Sequence, residues 1–146
     1  MLNRKLILQL ALFGIAMGSG TVFFVPSAVE PILWLIVFLL SAYFIARYCL
    51  RLRFLNGLIV GMLDSLLKTT VHMIFFSSYV ARHSQEIAAI RQMTTSISPK
   101  QMIALSSPVW GLAFGIIVGL LTKLLGVFVK PVEIGKRASF RAESES

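Results

Sequence analysis

The chain has 146 residues, 57 % of them hydrophobic and only 14 % charged. A soluble domain averages roughly 25 % charged, so this is one domain at most, and no water-soluble fold of its size could hide so much apolar surface. Its net charge of +8 does not point to nucleic acid, because the basic residues gather at the ends of apolar runs and form no continuous or aromatic-interleaved patch. The single cysteine, Cys49, excludes an internal disulfide and cannot alone make a structural zinc site.

A helix crosses the hydrocarbon core with about 20 mostly apolar residues, since each adds about 1.5 Å and an open strand would leave its backbone unsatisfied in lipid. Four stretches meet that requirement. The first spans about residues 6–25, carries no charge and is ended by Pro26. Arg4 and Lys5 before it resemble a secretory signal, but the apolar run is long for one and Pro26-Ser27-Ala28 is a poor cleavage site. Gly18-Ser19-Gly20 is a candidate break in its second half.

The second span covers residues 30–47, with Glu30 and Pro31 read as its cap. The third covers 54–80 and alone carries charge in its middle. The fourth is predicted over 108–129, with Ser107 capping and Pro108 in the first turn. Trp34 and Trp110 are then expected near one interface, where indole rings are favoured.

Between the third and fourth spans, Ser84 followed by Glu86 and Ile87, and Ser98-Pro99-Lys100-Gln101 with its capping-box spacing, predict short helices on the bilayer surface. Residues 131–146 read as a polar, disordered cytoplasmic tail. Ser139, behind Lys136 and Arg137, has the form of a phosphorylation site but reads as solvated tail. The expected fold class is all-α, an integral membrane four-helix bundle over residues 1–130.

Orientation follows from the lysines and arginines beside the spans. Arg4, Lys5, Arg47, Arg51, Arg53, Lys123, Lys130, Lys136, Arg137 and Arg141 lie on one side, and only Arg82, Arg91 and Lys100 on the other. The basic side is expected in the cytoplasm, with both termini.

The third span holds the richest chemistry. At about 100° per residue, Gly57, Gly61, Asp64, Ser65, Lys68, His72, Phe75 and Tyr79 share one stripe. A charge near the bilayer centre costs about 2.5–3.5 kcal/mol even on insertion scales, so these groups must face protein or water. One reading makes Asp64, Ser65, Lys68 and His72 a relay or binding stripe, with Asp64 holding Lys68 charged and His72 able to titrate. The other makes Asp64 and Lys68, at i and i+4, a neutralising pair that joins helices, with His72 bonded to a neighbour.

Glycines give a second pattern. Gly14 and Gly18, Gly57 and Gly61, and Gly111, Gly115 and Gly119 repeat at four-residue spacing, which lets helix backbones approach inside a bundle or between copies of a homo-oligomer. Motifs of hydrolytic, metal and nucleotide chemistry are missing from the sequence: it has no HExxH, GxSxG, P-loop or dinucleotide fingerprint. No catalytic residue, cofactor or metal is expected, and the expected partners are the lipid bilayer and other membrane helices, not nucleic acid. His72 and His83 are expected to differ in burial.

From residue 54 to 130, the Gly57-Leu58-Ile59-Val60-Gly61 run and Pro108 followed by Gly111, Gly115, Gly119 and Lys123 resemble a family of uncharacterised bacterial four-span proteins, a domain of unknown function. That resemblance implies a four-span topology and a bacterial inner membrane, and it supplies no activity. Small multidrug transporters differ in carrying a glutamate within the first span, and small fluoride channels in a glycine-arginine signature missing here. Two functions stand foremost, a structural, regulatory or assembly subunit acting through helix contacts and a proton- or ion-coupled transporter or channel component using the polar stripe, with a membrane-embedded enzyme third.

Overall fold

The computed structural model describes residues 2–93 and 96–132. Among these residues there are six helices and no strand, and four of the helices are long and apolar enough to cross a membrane. This is an all-α membrane protein.

Helix α1 (Arg4–Phe23) is capped by Asn3, whose side chain accepts from the Leu6 amide at 3.2 Å. Its buried residues, Ile7, Leu10, Ala11, Gly14, Met17, Gly18, Thr21 and Val22, follow helical spacing. Its exposed positions, among them Leu8, Leu12 and Ile15, are apolar as well, as lipid demands. The helix runs unbroken through the candidate break at Gly18-Ser19-Gly20, with Gly18 packed on Lys68 and Val71 of the third span.

Helix α2 (Glu30–Tyr48) starts with Pro31 in its first turn, as expected. Helix α3 (Arg53–Ile74) follows a short connection in which Leu52 takes a left-handed φ of 55°, a conformation costing a non-glycine residue about 1–2 kcal/mol. Arg53 holds this end closed, donating to the Cys49 carbonyl and, across the bundle, to the Gly126 carbonyl, each at 2.9 Å.

The third span ends earlier than predicted. Helix α3 stops at Ile74, Phe75 turns the chain, and α4 (Phe76–Arg82) follows. Residues 70–80 contain neither glycine nor proline. The turn is fixed by tertiary contact, the Phe75 ring meeting Phe23 edge-on at 5.3 Å. Helix α5 (Ser84–Met93) begins at the serine predicted to start it.

The fourth span also needs correction. Helix α6 (Pro99–Phe128) begins at Ser98, whose hydroxyl and Gln101 complete a capping box, and it runs through Pro108. The signal read as a separate surface helix is the true start of a 30-residue helix. Pro108 removes one amide from the ladder, but neighbouring helices re-satisfy such gaps in membranes. Ser107, expected as the cap, instead accepts at its carbonyl from the Ser65 hydroxyl at 3.2 Å.

Helix α3 is central, flanked by α1 and α6, while α2 packs on α6. Helices α1 and α3 run parallel: Gly14 meets Asp64, and Gly18 meets Lys68 and Val71. Helices α3 and α6 run antiparallel, Gly57 against Gly119 and Gly61 against Gly115. A Cβ on Gly61 would lie 2.5 Å from the Gly115 nitrogen, so the backbones touch. Of the tail, Pro131 and Val132 are described and the Val132 amide bonds the Arg47 carbonyl at 2.9 Å; the remaining tail, with Ser139, lies outside the described residues.

Candidate functional site

The polar stripe of α3 does not face one neighbour. Its glycines, Gly57 and Gly61, are buried against α6. Asp64 turns to α1, where one carboxyl oxygen accepts from the Gly14 amide at 3.0 Å and the other has no partner among the described residues. Ser65 bonds α6, and His72 returns to α1, its Nε2 lying 2.7 Å from the Thr21 hydroxyl.

Lys68 has a different partner from the one predicted. Its ammonium pairs with Glu30 of α2, not with Asp64. Position i+4 places Asp64 and Lys68 on neighbouring lines of the helix, but a long lysine stem reaches where the nearest unpaired carboxylate lies, and Asp64 is enclosed by α1. Glu30 is thus more than a helix cap: it accepts from Lys68 and, at 3.1 Å, from the Trp34 indole N–H. Since α3 ends at Ile74, Lys68 sits in the final third of the span and not at its centre.

Around this pair lies a cavity of about 680 Å³. Every residue that α3 contributes to it comes at or after Ser65, and the last from α2 and α6 are Phe38, Phe114 and Ile117. Phe38 and Phe114, with ring centroids 5.0 Å apart, close its deep end. Below them the glycine contacts of α3 and α6 leave no room for a side chain. Exposed Leu35, Trp110 and Ile117 form a rim on the outer surface of the bundle.

Trp34 and Trp110 both line this cavity. Trp34 is 5 % exposed because α6 covers it, its ring 4.9 Å from that of Phe114. Lys68 lies over the Trp34 face, 5.4 Å from the centroid.

On the cavity wall, Tyr79 is stacked between His72 and His83, at 4.3 and 4.4 Å. Both histidines are buried, at 3 % and 2 % exposure, against the expectation that they differ. The turn at Phe75 brings α4 back over α1, so His83 Nε2 reaches the Thr21 carbonyl at 3.0 Å. Its Nδ1 lies 2.7 Å from the Ser27 hydroxyl and 3.2 Å from Glu86. Burial pushes the Glu86 carboxyl up, but hydrogen bonds from Ser27, His83 and Tyr79 outweigh it and hold the group below the ordinary carboxylate value.

No protein-family model, curated protein or solved structure matches this chain. Its own residues carry the functional argument. Of the four stripe residues, Ser65, Lys68 and His72 reach the cavity and Asp64 does not line it. Sequence reasoning missed Glu30, Trp34, Glu86 and Phe114, which come from other helices. The one available signal was Glu30, an acid at a span end with no basic residue within a turn of it.

Proposed function

We propose that this protein binds a small amphiphilic molecule within one half of the bilayer. The observation that carries the reading is the cavity itself, where the Lys68–Glu30 pair, Ser65 and His72 face a wall of Trp34, Phe38, Trp110 and Phe114. A few polar groups set in an aromatic wall fix a ligand's orientation, while the wall supplies its affinity.

A channel spanning the bundle draws less support, since Asp64 belongs to the α1 interface and the glycine contacts close the basic half. An assembly role rested on the glycine stripes. Gly14 and Gly18 face α3, and Gly57 and Gly61 face Gly115 and Gly119, so those faces are occupied within the chain.

The basic flanks support a cytoplasmic side for both termini by the positive-inside rule, and with it the opposite leaflet for the cavity. The resemblance noted above favours a bacterial inner membrane.

The test uses W110F, which leaves Trp34 as the sole tryptophan. A brominated alkyl amphiphile is titrated into the purified variant, and saturable quenching of Trp34 is expected. Introducing S106F into the cavity should remove it. Quenching that stays absent, or grows linearly with amphiphile and ignores S106F, would sink the reading.

A further inference from the structure

The walls of the cavity also specify the charge of its ligand, an inference that rests on the binding role proposed above. Three charged side chains line it, the carboxylates of Glu30 and Glu86 and the ammonium of Lys68. Lys68 is already matched by Glu30. An anion entering here would have to displace Glu30 from Lys68 and then face two carboxylates.

A cation meets the reverse situation. Aromatic faces attract positive charge through their quadrupoles, best when the ion is weakly hydrated. The Trp34 face already holds a cation, with Lys68 over the ring at 5.4 Å and Glu30 bonded to both the ammonium and the indole N–H. Lys68 therefore stands where a ligand's charge would be stabilised. Its four-carbon stem is flexible enough to yield that place, and the surrounding rings of Phe38, Trp110 and Phe114 would take apolar substituents.

We propose that the cavity binds a lipophilic organic cation, its charge held by Glu30 and the Trp34 face in competition with Lys68. Lys68 acts as an internal occupant that weakens binding. Removing it strengthens the site.

Tetraphenylphosphonium and tetraphenylborate share one shape and differ in charge, so together they isolate the point. Each is titrated into the full chain in an uncharged detergent, with tryptophan fluorescence as readout, since both tryptophans line the cavity. Tetraphenylphosphonium should bind saturably and about tenfold or more tighter than tetraphenylborate. Glu30→Gln should weaken the cation about tenfold, and Lys68→Met should tighten it severalfold. If Glu30→Gln does not fold, the comparison of the two ions on the unaltered chain still decides. Tighter binding of tetraphenylborate, or weaker cation binding in Lys68→Met, would overturn the charge assignment while leaving the cavity a binding site. Should neither ion nor neutral triphenylphosphine oxide bind saturably, the binding role itself fails.

Discussion

Asp64 and Lys68 stand four residues apart on one helix, yet they answer to different neighbours, α1 for the acid and α2 for the base. Asp64 is fully buried with one amide donor and, among the described residues, no cation. Asn has the same shape, keeps an acceptor for Gly14 and removes any charge. Since burying an amide costs less than burying a carboxylate without a counterion, Asp64→Asn should leave thermal stability unchanged or raise it by about 1 kcal/mol. A marked fall in melting temperature would show that the carboxylate has a partner of its own. Glu86 gives the opposite case, a carboxyl whose hydrogen bonds favour its charged form. A lowered folded pKa contributes stability that is present above the unfolded value near 4.5 and is lost as pH falls through the lower folded value. Unfolding midpoints of the native protein are therefore expected to drop on acidification below about pH 4.5, and those of Glu86→Gln to drop less steeply.

Helix α3 is positioned by contacts between backbones. Gly61 and Gly115 touch so closely that an added Cβ at either would lie 2.5 Å from main-chain atoms. Gly111, in the same stripe, leaves ordinary space, its nearest neighbours at 3.4–3.5 Å. Gly61→Val is accordingly expected to cost about 1–3 kcal/mol or more, and Gly111→Ala to be close to neutral, when unfolding is followed in mixed micelles. Equal effects at the two sites would mean that glycine spacing and not backbone contact matters. The sequence pattern could not separate these glycines, because four-residue spacing is shared and only the angle at which α3 crosses α6 decides which ones meet. Helix ends show the same limit. The capping box at Ser98 was legible, but whether its helix stops or continues through Pro108 depends on neighbours that can tolerate the missing amide.

At the scale of the molecule, four helices long and apolar enough to cross a membrane are an even number, so crossing by all four predicts both ends of the chain on one side. Reporters fused to either end should give the same compartment, and the basic flanks predict the cytoplasm. Opposite compartments for the two ends would mean that one long helix does not cross. Four apolar helices, the limits of the first two and the polar character of the third were written in composition and periodicity, because lipid imposes length and apolarity on each segment independently. The cavity was not. Glu30 and Lys68 are 38 residues apart, and Trp34 and Phe114 are separated by three whole helices, so no local pattern joins them. The sequence by itself determined that charge lies inside the membrane; only the packing of α2 and α6 around α3 decided which partner neutralises it and that it faces a cavity, because pairing in a low-dielectric interior depends on distances between helices that each segment's own residues do not set.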